Sequence, residues 1–278
     1  MKRVFLYILL FALYFFNNNK LFAAAEFDLY IPFGMSATYI DSSVKNDYAV
    51  EKSFKEFYNG LSAEMGVLFR GGYNFELRNP IIESVSLMLD AGYYMSPVSI
   101  LYVNTIMGKT SETTLLHTLN TGIALKIYFY SAAINLYYSL TLAGGVKTPF
   151  GGNVLSSSAM TDQSILYGLY GKDEYGYRDI KNLFKTPVMG YLKYNLDFYY
   201  ILTEKVSIMY GIYVSYDFGM KYNTEYLNRS KHLEYYADST GTQAPIFGSM
   251  SYNNLSVGIS FGLSFGKNHI KAKYGINN

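Results

Sequence analysis

The chain has 278 residues, with 23 Lys and Arg against 21 Asp and Glu, three His and no Cys. Without cysteine it forms no disulfide, no thiolate metal site and no lipid-acylated cysteine anchor, and so nearly neutral a balance gives no electrostatic ground for binding nucleic acid. The 31 Tyr and 19 Phe suit strands and membrane-interface belts.

Lys2 and Arg3 precede an apolar run over residues 4–16. A polar step at 17–20 then leads to Ala23, Ala24 and Ala25. A charged start, a short greasy core and an A-x-A site predict a secretory signal over residues 1–25, cut before Glu26. The alternative, a helical anchor, needs roughly 18 apolar residues, and neither this run nor any later window supplies them. Losing Lys2, Arg3 and Lys20 turns the slightly basic chain slightly acidic.

From there the period is two, the signature of strands whose successive side chains leave opposite faces. Residues 28–40 set Leu29, Ile31, Phe33 and Met35 against Tyr30, Gly34, Ser36 and Thr38, with Pro32 as the blemish. A polar stretch, 41–60, separates this strand from 61–73, where Leu61, Ala63, Met65, Val67 and Phe69 alternate with Glu64 and Arg70. The third strand, 81–96, follows the turn signal Asn79-Pro80 and carries Asp90 on its polar face; a second, moderately polar stretch, 97–113, comes next, with room to extend the flanking strands. Strands at 119–129 and 134–147 make a hairpin, with Lys126 and Lys147 opposite the apolar side. The longest irregular stretch is 148–185, with room for a hairpin around 164–170. Residues 188–202 carry Lys193 and Asp197, and residues 203–205 turn the chain into the longest alternation, Val206 to Tyr222, with Asp217 and Lys221 on its polar side. A fourth polar stretch, 223–248, leads to the last strand at 255–265.

Long connections follow the odd strands and short ones the even strands. Aromatics gather at the short turns: Phe75, Phe129, Tyr130, Phe198, Tyr199 and Tyr200. This pattern predicts an all-β fold, a closed antiparallel up-and-down transmembrane barrel of eight strands, or ten if 148–185 adds a hairpin. An open edge cannot face lipid, so the sheet must close. The competing architecture is a soluble β-sandwich whose apolar faces share a core.

These residues resemble the small outer-membrane β-barrels of Gram-negative and spirochaetal bacteria, of the OmpX and OmpA-transmembrane type. The resemblance is architectural over residues 26–266. A sharper motif is the last strand, where Ser256, Gly258, Phe261 and Leu263, closed by Phe265, look like the insertion signal read by the barrel assembly machinery. In the family that signal ends the chain, whereas here a short basic tail, 267–278, follows; the resemblance implies a periplasmic location for it. Outer-membrane lipid and the assembly machinery are the partners it implies, and a host or extracellular ligand would be met through the long segments.

The inward face gathers Glu64, Asp90, Asp197 and Asp217 with Arg70, Lys126, Lys147, Lys193 and Lys221. Eight strands leave an interior just wide enough for side chains, so these charges are expected to pair into a network that fills the lumen, with a narrow porin-like channel as the alternative. A lipid-modifying enzyme needs a nucleophile beside a base. His117 falls on the outward face with no serine beside it in register, His232 lies in a polar stretch and His269 in the tail. No catalytic residue, metal site or cofactor is nominated. The expected role is a non-enzymatic surface protein serving adhesion, host contact or envelope integrity.

Overall fold

The computed structural model describes residues 23–44, 54–77, 82–104, 108–131, 133, 136–157, 174–203, 205–227, 229 and 247–266. In chain order they form β1 (Ala23–Val44), β2 (Phe54–Glu76), β3 (Ile82–Asn104), β4 (Gly108–Ser131), β5 (Leu136–Ser157), β6 (Glu174–Tyr175), α1 (Tyr177–Leu183), β7 (Phe184–Thr186), β8 (Met189–Ile201), β9 (Val206–Tyr222), α2 (Thr224–Leu227) and β10 (Phe247–Gly266).

Sequential antiparallel pairing runs β1-β2-β3-β4-β5-β8-β9, and β10 pairs with both β9 and β1. The ladder from Glu26↔Gly266 to Val44↔Phe247 therefore closes the sheet. Eight strands make the ring. The short β6 and β7 lie at one rim and are not staves, so the ten-strand alternative is not realised among the described residues.

The staves are longer than the alternation alone suggests. The polar stretch at 97–113 is mostly paired strand: β3 and β4 stay in register from Ile82↔Phe129 to Asn104↔Gly108, which leaves only 105–107 between them. Likewise β1 runs to Val44 and β2 begins at Phe54, so 41–60 is not one long loop. From 148–185, β5 takes the start as far as Ser157 and β6, α1 and β7 take the end, while the hairpin expected at 164–170 lies outside the described residues. The physical reason is that a strand beyond the bilayer keeps its backbone ladder but loses the one-sided solvent that enforces alternation.

The rim is uneven. β1 to β5 have 22 to 24 residues, whereas β8 has 13 and β9 has 17. Above the β5–β8 ladder, which ends at Lys147↔Met189, β6 pairs with Gly152 and Asn153 and β7 pairs with Tyr222 and Lys221. Asn223 ties α1 to the top of β9: its N–H donates to the Leu183 carbonyl at 2.8 Å and its side chain to the Asn182 carbonyl at 3.1 Å. The opposite end has the turns β2–β3, β4–β5 and β8–β9.

Pro32 is accommodated by its place. It pairs with Ser260 of β10, while the β1–β2 ladder lapses between Tyr30↔Leu68 and Phe33↔Met65 without a change of register. The missing N–H costs one interruption and no slip.

Candidate functional site

Because successive side chains alternate, one face of each stave fills the lumen and the other faces out. Among the described residues, six acids lie inward, Glu26, Asp28, Glu64, Asp90, Asp197 and Asp217, with four bases, Arg70, Lys126, Lys147 and Lys193, all buried. Two of these acids, Glu26 and Asp28, were not picked out in the sequence, although both continue the parity of Tyr30, Gly34 and Ser36.

Lys221 is a correction. It is exposed and stands outside the lumen. Gly219 has φ +91°, and β9 carries an extra residue against β10 between Asp217↔Asn254 and Met220↔Tyr252. Such a bulge re-aims every following side chain, so Met220 turns in and Lys221 turns out.

Nearest the short turns, Lys126 Nζ sits 2.8 Å from Glu26 and 2.6 Å from Asp28. Glu26 also accepts from the Tyr128 hydroxyl, Ser86 and Asn74. At mid-height Arg70 Nε reaches Asp90 at 3.4 Å, the Tyr30 hydroxyl donates to the same carboxylate at 3.3 Å, and the guanidinium lies 4.3 Å from the Tyr30 ring centre. Towards the uneven rim Lys147 pairs with Asp217 at 2.6 Å.

The remaining charges are not in salt bridges among the described residues, which corrects the expectation of a uniform ion-pair network. Glu64 takes hydrogen bonds from Tyr94 at 2.6 Å, Tyr213 at 2.8 Å and Ser256 at 2.7 Å. Asp197 accepts from Ser260 at 3.3 Å. Lys193 lies over the rings of Tyr213, Tyr30 and Tyr94, at 4.3, 5.3 and 5.6 Å from their centres, where the negative ring faces attract an ammonium.

Tyrosine is thus as much a lumen residue as a belt residue. Of the aromatics at the short turns, Tyr199 is buried inside and Tyr130 packs against the same inner cluster, while Phe129 and Phe198 face out. Room for the rings comes from paired glycines. Gly34 faces Gly258, and a methyl group on either would collide with Tyr213; Gly122 faces Gly145 and lies against the Tyr191 hydroxyl. At the highest level Tyr252 of β10 reaches across the lumen to the Pro97 carbonyl of β3 at 3.3 Å. Buried side chains occupy the bore at every level from Glu26 to Tyr252.

The outer face is the inverse. Phe33, Leu89, Ile123, Leu192, Ile212 and Phe261 are typical of it, with Leu89 68% and Ile123 61% exposed. Such a girdle covers all eight staves, far beyond the few hundred Å² of apolar patch that a soluble monomer exposes, and the polar groups lie inside. A soluble sandwich would have the opposite polarity. This is a transmembrane β-barrel.

The chain matches no protein-family model and no curated protein. Among solved structures the barrel is similar to the outer membrane protein OprG from Pseudomonas aeruginosa (13% identity over 86% of this chain and 95% of that one, TM-score 0.35). It is also similar to the Neisserial surface protein A (11%, 84% and 95%, 0.29) and to the E. coli outer membrane protein W (11%, 86% and 96%, 0.31). The assignment above rests on closure, register and polarity.

In this barrel the residues of the insertion motif divide by face. Ser256 points in and holds Glu64, Gly258 packs against Gly34, and Phe261, Leu263 and Phe265 face out. They lie on the stave that meets β1. β1 itself begins at Ala23, so its ladder with β2 includes Ala23–Ala25, upstream of the expected cut.

His117 lies on the outer wall between two partners: its Nδ1 meets the Tyr93 hydroxyl, and its Nε2–H donates to Asn153 Oδ1 at 2.9 Å. Its ring stacks on Tyr93 and tilts against Phe150. These are the side chains of three adjacent staves, and the sequence hid them because Tyr93, His117 and Asn153 are remote along the chain. His232, His269 and the tail 267–278 lie outside the described residues.

Proposed function

We propose that the protein is an exported bacterial outer-membrane barrel whose body is a non-conducting anchor and whose tall rim faces the outside. In this reading the short turns are periplasmic, and the rim meets an extracellular or host ligand as an adhesin or surface-contact protein. The observation that carries it is the contrast between a filled bore and a rim of paired strand built well beyond the apolar girdle. Buried side chains occupying the bore support an anchor over a solute path through it. Binding is commonly carried by connections held on a rigid scaffold, and here the scaffold itself extends outward to present them.

The test uses cells displaying the full chain and cells displaying a chain in which residues 158–173 are replaced by a short Gly-Ser linker. Equal surface expression with adherence to extracellular matrix in the first and none in the second supports the reading. Equal adherence of both strains, or of a strain lacking the protein, contradicts it.

A further inference from the structure

The staves β8 and β9 end low, and what stands on them is basic. Going up β9, every second residue from Ile208 to Phe218 faces out and is apolar or aromatic; the next outward side chain after the Gly219 bulge is Lys221. Going up β8 towards β7, Leu192 and Val188 are exposed, and above them stand Thr186 and Lys185. A dozen strand residues tilted at about 40° rise roughly 30 Å, the thickness of a hydrocarbon layer. Lys221 and Lys185 therefore stand where the girdle stops, at the level of lipid headgroups.

Two more cations join them. α1 buries Ile180 and Leu183 and exposes Arg178 and Lys181, which lie on one face at the i, i+3 spacing. The helix runs directly into β7, and β7 pairs Thr186 with Lys221. The hydrogen bonds of Asn223 to Leu183 and Asn182 hold its end to β9, so the four exposed cations are carried on one connected unit, with Lys185 at the irregularity between Phe184↔Tyr222 and Thr186↔Lys221. The acids nearby are otherwise placed. Asp179 turns back to accept from the Gly176 N–H at 2.9 Å, Glu174 pairs across to Asn153 on the β5 side, and Glu225 lies on α2 one turn from the exposed Arg229.

We infer that Arg178, Lys181, Lys185 and Lys221 form a docking ledge for the phosphate groups of anionic lipids in the leaflet at the rim end. The charge is complementary, and the height matches the headgroups. A bulge that costs regular pairing also turns Lys221 away from a lumen that already has more acids than bases, which is what a lipid-facing role requires. Basic side chains beside a bilayer add their attractions to anionic headgroups, while the aromatic girdle just below fixes depth. The occupant is membrane lipid rather than free phosphate, because the ledge sits directly above the hydrocarbon-facing surface.

The experiment is native mass spectrometry of the full chain extracted into detergent with equal amounts of phosphatidylglycerol and phosphatidylcholine. The wild type is expected to retain the anionic lipid at about fivefold or greater enrichment, fivefold being the attraction of roughly one surface cation. The variant R178Q/K181Q/K185Q/K221Q should fall close to parity, and K205Q, which alters an exposed lysine at the short-turn end, should retain the enrichment. All four positions are exposed, and an unchanged shift of folded against heated protein on gels shows that the variant barrel is intact. Parity in the wild type, unchanged enrichment in the quadruple variant, an equal loss in K205Q, or displacement of the lipid by millimolar inorganic phosphate each overturns the proposal.

Discussion

Near the short turns Lys126 holds Glu26 and Asp28 at 2.8 and 2.6 Å. Towards the rim Glu64 has no cation within salt-bridge distance among the described residues and is held by three hydroxyls, while Lys193 has three tyrosine faces in place of a carboxylate. Both levels bury charge, but they depend on different things. In the lower one a single cation neutralises two anions, so its loss strands both. In the upper one the load on Glu64 and Lys193 is spread over neutral groups from β1, β3, β9 and β10, so no one removal leaves either of these two charges facing nothing; the Lys147–Asp217 pair nearby is the exception. The lower level concentrates the lumen's stability; the upper level distributes it and fills space.

This difference predicts an order of effects. Lys126→Met should be the most damaging, by about 3–5 kcal/mol, the cost of breaking a buried pair from one side, measured by urea unfolding in lipid vesicles. Gly34→Val should come next, at about 1–3 kcal/mol, because the added carbons meet Tyr213 and the Val257 carbonyl in a packed wall; the same titration reads it. Glu64→Gln keeps an acceptor for Tyr94 and Tyr213 and should cost about 1 kcal/mol, near the net worth of one hydrogen bond. Lys193→Met removes a buried ammonium that has no anionic partner and should change stability by less than about 1 kcal/mol, in either direction. If Lys193→Met proved as costly as Lys126→Met, the contrast between the levels would be lost.

Much of this architecture was legible in the sequence because a bilayer-spanning strand must keep one face greasy over its whole crossing. Val206 to Tyr222 shows this best. Reading failed where that constraint stops. At 97–113 the sequence allows both a loop and a strand extension, because water on both sides asks for no alternation, and the β3–β4 ladder settles on extension. At Gly219 a single inserted residue reverses the parity of Lys221; a glycine inside a strand pattern is the local signal for such a bulge, but Gly211 of the same strand stays in regular register. Glu26 and Asp28 were missed because the strand was read from its apolar residues, which begin only at Phe27 and Leu29. The tyrosines were read as belt because their share of the composition says nothing about which face they occupy. Parity does, and Tyr30, Tyr94, Tyr191, Tyr213 and Tyr252 are all buried. The Tyr93–His117–Asn153 chain needs the register of three staves, which only the folded sheet supplies.

Side chains occupy the bore from Glu26 to Tyr252. Recording current across a planar bilayer holding the purified full chain tests it most directly. The filled lumen predicts a baseline without steady unitary steps at moderate voltage, and a stable, ion-selective conductance that scales with the amount of protein inserted would contradict it.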